Sequence, residues 1–227
     1  MFIIRRIKQK TDIKSRILTA LEKHLENIEG IYLYGSQARG EADKSSDIDL
    51  LIITNKKLSI KVKGFEIICL QQNEIDEAIK IAPIIIYSAL SEAKPIMNAS
   101  LLERLKHKYR LEPIAFVDYI KETEEIVKIN EKLLDPYSVI LRLRGIYITA
   151  CLLDNRLYFK KAFLSWLKKK CPDSNVNGAY SDYINSKRNN KVRVQASDKD
   201  INSLLFLLKS ETGLLKDKIH GKKRKKT

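Results

Sequence analysis

Residues 31–53, IYLYGSQARGEADKSSDIDLLII, constrain the fold more than any other stretch of the chain. An apolar run, Ile31-Tyr32-Leu33-Tyr34, stops at Gly35-Ser36. Ten residues follow, polar except Ala38 and Ala42, and then Asp47-Ile48-Asp49 runs straight into Leu50-Leu51-Ile52-Ile53. The pattern predicts strand, tight turn, short helix, loop and strand. Side chains alternate along a strand, so Asp47 and Asp49 share a face. Two carboxylates on one face at the head of a buried strand are costly unless a cation sits between them. Magnesium suits that place, because it prefers carboxylate and phosphate oxygens. Gly35 permits a sharp turn and a close approach of phosphate to the backbone. Ser36 opens the short helix, where free amides and the helix dipole favour an anion. One segment thus offers a triphosphate cradle and a metal clamp.

Gly35-Ser36, a ten-residue spacer and Asp47-x-Asp49 resemble the signature of the DNA polymerase β-type nucleotidyltransferase superfamily. Ala38-Arg39-Gly40-Glu41 and Ser46 share the resemblance, which covers about residues 11–98. The spacing is similar to that of minimal nucleotidyltransferases and of larger relatives such as the aminoglycoside nucleotidyltransferases. The resemblance implies transfer of a nucleoside monophosphate from an NTP, ATP above others, with pyrophosphate leaving. It implies that Asp47 and Asp49 hold two Mg²⁺ ions, and that Gly35 and Ser36 bind the β- and γ-phosphates. Arg39 is placed to reach the triphosphate or to brace the loop.

Superfamily members carry a third carboxylate, usually Asp, on the strand beside the Asp-x-Asp strand. The run Phe65-Glu66-Ile67-Ile68-Cys69-Leu70 reads as that strand, buried on both sides, and Glu66 is its one acid. By the resemblance Glu66 ligates the metal and helps to deprotonate the acceptor, with a side chain one methylene longer than the usual Asp.

Composition limits the class of protein. A length of 227 residues supports a full core in one or two domains. Hydrophobic residues at 44% with 31% charged residues suit a globular protein in water. The apolar stretches near 84–90 and 146–153 are too short to span a bilayer. Met1-Phe2-Ile3-Ile4 precedes Arg5-Arg6, the wrong order for a signal peptide, so a cytoplasmic protein without a membrane partner is expected. Cys69, Cys151 and Cys171 lie far apart with no C-x-x-C pair, which argues against disulfides and zinc. The net charge of +15 points to an anionic partner, nucleic acid first.

Helical spacing marks 11–27, and Asn73 caps a short helix over 73–80. Pro83 opens another helix to 93, and 94–98 reads as an edge strand held there by Pro95. A nucleotidyltransferase domain over 1–98 is expected, α/β with a mixed sheet. An all-helical domain over 99–221 follows, then a disordered basic tail over 222–227. In the second domain Pro136 starts a helix apolar nearly all round, which carries Arg142 and Arg144; each is a salt-bridge partner or a phosphate contact. Tyr180 and Tyr183 interleave with Lys187, Arg188, Lys191 and Arg193, a pattern that suits base stacking and phosphate contact as well as an ordinary surface helix with buried rings.

The expected activity is Mg²⁺-dependent nucleotidyl transfer to an acceptor hydroxyl, with RNA as the favoured acceptor. Three alternatives stand beside it. One is an antitoxin-type enzyme that adenylylates a partner protein; another acts on a small molecule. The third is a binding module without turnover, against which the intact Asp47-x-Asp49 speaks.

Overall fold

A computed structural model describes residues 12–43, 46–188 and 195–223. Its sheet has four strands in the order β3-β2-β1-β4. These are β1 (Ile28–Tyr34), β2 (Ile48–Thr54), β3 (Phe65–Gln71) and β4 (Lys94–Met97). β1 pairs antiparallel with β2 and with β4, while β2 and β3 run parallel. The sheet is therefore mixed, as its sequence implies.

Period-2 alternation gives β1 and β2 two apolar faces. Ile31, Leu33, Ile48, Leu50 and Ile52 pack with Ile17 and Leu21 of helix α1 (Asp12–Leu21). Tyr32, Leu51 and Ile53 point the other way and are equally buried. Each such aliphatic side chain contributes about 1.5–3 kcal/mol on burial, so this strand pair fixes the register of everything around it. α1 gives way to a tighter helical turn at Glu22–Asn27 instead of continuing to 27, because none of those six residues is fully buried.

β3 is not covered on both sides. It lies at the sheet edge and its residues are half-buried, with Glu66 exposed. Its apolar composition reads as a central strand, but among the described residues β2 alone pairs with it. Four helices follow or flank it in this part of the chain: α2 (Gly35–Arg39), α3 (Ile75–Ile81), α4 (Pro83–Glu92) and α5 (Ala99–Lys108).

The chain divides into two compact units, residues 1–81 with 88–110 and residues 82–87 with 111–227. The boundary thus falls at 110 and not at 98. Packing explains the shift: Leu101, Leu102 and Leu105 of α5 are buried, and the Tyr109 hydroxyl donates to the Gln72 carbonyl at 3.1 Å.

The second unit is helical, with α6 (Val117–Leu133), α7 (Pro136–Leu153), α8 (Lys160–Lys170), α9 (Val176–Lys187) and α10 (Asp198–Lys223). The Asp135 carboxylate caps α7, accepting from the amides of Tyr137 and Ser138 at 3.2 and 3.0 Å. Gly145 sits in the middle of α7 for a steric reason: a Cβ there would lie 1.9 Å from the Tyr119 hydroxyl. By length and composition α7 could cross a membrane, contrary to the reading of its apolar stretch as too short. Half of it is buried within the protein, as a core helix requires, with Val139, Ile140, Leu143 and Ile146 inside. Ser197 and Asp200 form a reciprocal cap at the start of α10. α10 continues through Gly221 to Lys223, two residues past the expected end of the helical domain at 221. The rest of the basic tail, 224–227, lies outside the described residues.

Candidate active site

The turn after β1 is built around Gly35. Its φ is +71°, in the left-handed region, and an added Cβ would lie 1.9 Å from Asp49 Oδ2. Both facts demand glycine. α2 is a helix of five residues, closed by Gly40 at φ +76° and by the Glu41 amide donating to the Ser36 carbonyl at 2.9 Å. The first amides of this turn are engaged by carboxylates. The Gly35 N–H donates to Glu92 Oε2 at 3.2 Å, and the Ser36 N–H donates to Asp49. They are not free amides awaiting phosphate, as the sequence suggests.

Glu92 is the residue that the sequence reading missed. It is buried at the end of α4, where it accepts from Gly35 and pairs with the Arg39 guanidinium. Arg39 also donates to Glu41 at 3.2 Å, and its side chain is only 9% exposed. Arg39 thus braces the turn from two sides, one of the two roles expected of it. The clue to Glu92 was present: it is the one charged residue in the helix PIIIYSALSE. A single charge on so apolar a helix needs a partner inside.

The strands carry a row of polar side chains. Tyr34 on β1 is the register partner of Asp49 on β2, and Asp49 is the register partner of Glu66 on β3. Direct partners share a sheet face, so phenol and two carboxylates line up across three strands. Asp49 is pushed up to about 6, first by burial and then by the Glu66 charge. The Ser36 amide and Arg39 pull against that shift, and Asp47 adds to it. Burial also raises the Tyr34 phenol well above its usual range, helped by Asp49, Glu66 and Glu92 in turn. Tyr34 therefore stays neutral beside these acids. Asp47 is exposed in the segment just before β2.

A family model described as polymerase beta, nucleotidyltransferase matches residues 15–131, just over half of the chain. The chain belongs to that family. Among solved structures, the fold is similar to the spectinomycin adenyltransferase AAD(9) from Enterococcus faecialis, crystallised with ATP and spectinomycin. The likeness has a TM-score of 0.52 at 15% identity, and covers 88% of this chain and 97% of that one. No curated protein matches the chain.

Membership of a nucleotidyltransferase family makes transfer of nucleotidyl groups, and nucleotide binding, the class of chemistry to which the site belongs. The acidic row can be tested for fit to the divalent cation that such chemistry commonly uses. Among the described residues no three His, Cys, Asp or Glu side chains are gathered closely enough to hold a metal ion. The expected clamp of Asp47, Asp49 and Glu66 is thus not drawn together: Asp49 and Glu66 are register partners on paired strands, while Asp47 is exposed in the segment before β2. In donor type, though not in placement, these carboxylates suit a hard cation.

In the helical unit the two arginines of α7 part ways. Arg142 lies over the Tyr119 ring, 5.0 Å from its centroid, and pairs with Glu122 at 3.4 Å. Arg144 donates from Nε to the Tyr158 hydroxyl at 3.3 Å and stacks over that ring. Its ionisable neighbours are the phenols of Tyr158, Tyr183 and Tyr180, and no carboxylate pairs with it among the described residues. Tyr180 and Tyr183 do not stand out as stacking platforms. Tyr183 is 3% exposed, stacked on Tyr137 at 5.5 Å, and Tyr180 packs on Phe163 and Tyr183. An apolar helical core claims these rings first. Lys187 and Arg188 are exposed, while Lys191 and Arg193 lie outside the described residues.

Proposed function

We propose that the chain transfers a nucleoside monophosphate from ATP to a hydroxyl group of a small-molecule acceptor, with release of pyrophosphate. The observation that carries this reading is the row Tyr34–Asp49–Glu66 set against the Gly35–Ser36 turn. It puts an acidic cluster beside a hydroxyl-bearing turn within hydrogen-bond reach of one side chain, Asp49. Asp47, Asp49 and Glu66 would hold Mg²⁺, which supplies Lewis-acid charge to the triphosphate.

The chain's own groups do the rest. The Ser36 hydroxyl donates to a phosphate oxygen. Glu92 and Arg39 keep the turn in place. Glu66, exposed at the sheet edge, takes the proton from the acceptor hydroxyl. The acceptor oxygen then bonds to the α-phosphorus as the bond to the pyrophosphate oxygen breaks. An ATP-consuming reaction suits a cytoplasmic protein.

Burial of Tyr183 and the packing of Tyr180 weaken the case for RNA, since stacking on bases needs open rings. The small-molecule reading draws support from the similar fold of an enzyme crystallised with ATP and spectinomycin. Incubation with α-labelled ATP and Mg²⁺, offered RNA, protein and metabolite fractions separately, tests the choice. Label is expected in the metabolite fraction, with a shallower dependence on salt than an RNA acceptor would show. Label confined to RNA, declining steeply as salt rises, would return RNA as the acceptor.

A further inference from the structure

Tyr34 is the one member of the row that the proposed reaction leaves without a task. It ends β1, directly before the Gly35–Ser36 turn, and pairs in register with Asp49. Its side chain therefore stands on the same sheet face as Asp49 and Glu66. The residue is partly buried, and its hydroxyl makes no hydrogen bond among the described residues. A phenol shielded from water ordinarily finds a partner. The donors that adjoin it on the turn have theirs. The Gly35 amide donates to Glu92, the Ser36 amide donates to Asp49, and Arg39 pairs with Glu92 and Glu41. The Tyr34 O–H is left as an open donor.

Its place in the row says what that donor meets. The strand order is β3-β2-β1, so Glu66 and Tyr34 flank Asp49 from opposite sides. Neighbouring strands lie about 5 Å apart, so the two flanking side chains start about 10 Å from each other. In an in-line displacement the attacking and leaving oxygens lie on opposite sides of the phosphorus. With Glu66 taking the proton of the attacking hydroxyl, the pyrophosphate leaves on the side of Tyr34 and the turn. Negative charge grows on the leaving oxygen there, and the carboxylates of the row oppose it. A neutral O–H donor offsets that charge where it develops. The phenol stays protonated for the task, because burial and the charges of Asp49, Glu66 and Glu92 raise it well above its usual range.

We infer that the Tyr34 hydroxyl donates a hydrogen bond to the leaving pyrophosphate and is a catalytic residue of the transfer. This rests on the reaction proposed above and adds the group that serves its leaving side. The acceptor hydroxyl gives its proton to Glu66, its oxygen bonds to the α-phosphorus, and the bond to the pyrophosphate oxygen breaks. Tyr34 keeps its own proton throughout.

The experiment compares the full chain with Tyr34→Phe, which keeps the ring and removes only the hydroxyl. With α-labelled ATP, Mg²⁺ and the metabolite fraction, kcat/KM for ATP should fall about 10- to 100-fold, the range for losing a hydrogen bond to a charged group. KM for the acceptor fraction should not change. Calorimetric titration with pyrophosphate and Mg²⁺ reads the contact without turnover: affinity should fall about tenfold, while affinity for AMP stays the same. In wild type labelled with ¹³C at the tyrosine Cζ, the Tyr34 resonance should move on addition of pyrophosphate and stay in place with AMP. That arm needs no variant to fold. Wild-type kcat/KM and pyrophosphate affinity in Tyr34→Phe overturn the inference and leave the transfer reaction standing. So does an effect confined to KM for the acceptor, or a Tyr34 resonance indifferent to pyrophosphate. No label on any fraction, with wild type matching Asp49→Asn, removes the transfer reaction and the inference together.

Discussion

Asp49 is the residue on which stability and chemistry pull in opposite directions. Its carboxyl group is raised from 3.8 to about 6 by burial and by Glu66. The folded protein therefore holds this proton more tightly than the unfolded chain does. Below pH 4 both forms are protonated and Asp49 has no effect. As pH rises from 4 to 6 the unfolded chain ionises first, so stability falls, and the full penalty is present above pH 6. After allowance for solvent screening of a half-buried group, the penalty is about 1–2 kcal/mol. In EDTA, Asp49→Asn should thus melt higher than wild type at pH 7 and alike at pH 4. A difference in Tm that is flat with pH would count against this account. Mg²⁺ should stabilise the wild type more than the variant, by binding the folded state. Glu66 is a different case, exposed and assigned the role of base in the proposed reaction. Glu66→Gln should lower the transfer rate by about 10²–10⁴-fold, the range for losing a general base, with ATP affinity retained in a direct binding assay.

At the scale of the element, the short helix α2 depends on a helix far away in sequence. Glu92 at the end of α4 joins the Gly35 amide to the Arg39 guanidinium, with side chains 5% and 9% exposed in the ion pair. Removing one member of a buried pair costs up to about 3–5 kcal/mol, less here to the extent that Arg39 keeps its bond to Glu41. Glu92→Ala should therefore destabilise strongly in urea titration. Glu92→Ala combined with Arg39→Ala should cost less than the sum of the two, because the stranded charge is gone. Additive losses would show that the two side chains act separately. Gly35→Ala tests the same turn by sterics. Its φ of +71° and the Asp49 carboxylate 1.9 Å from the new Cβ force the turn to move. Transfer should drop sharply while the secondary structure seen by circular dichroism remains.

At the scale of the molecule, the two units are not two consecutive lengths of chain. Residues 82–87, which include the start of α4, belong to the helical unit, although α4 ends at Glu92 of the candidate site. Within that unit Tyr87 packs on Phe116 at 5.8 Å, and its hydroxyl accepts from the Glu112 amide at 3.4 Å. Ile86 and Tyr87 are 3% and 6% exposed. A fragment ending at residue 110 uncovers both. It should be more readily cleaved by protease in α4 than the full chain is, and less active than full-length protein at equal concentration. A fragment as resistant and as active as the whole would show that the helical unit contributes nothing to this helix. The net charge of +15 acts at this scale too. It raises the local concentration of anions such as ATP, so on-rates should fall with ionic strength even where the bound complex is little affected.

The sequence by itself determined the strand–turn–strand of residues 31–53, the glycine turn, the Asp-bearing strand and the family. These are local: alternation, glycine chemistry and the spacing of Ser36 from Asp47 act within one short stretch. It also determined the start of α7, where Asp135 and Pro136 adjoin. Tertiary structure decided whatever depends on neighbours distant in the chain. β3 reads as a central strand because an apolar run looks the same whether one or two strands flank it; pairing left it at the edge and Glu66 exposed. Tyr180 and Tyr183 alternate with cations in sequence, yet helix packing turned the rings inward. Glu92 is 57 residues from Gly35, and no local pattern links an acid at the end of one helix to an amide at the start of another. Hydrogen bonds and ion pairs of that range form only once the sheet has set the distance between the elements that carry them.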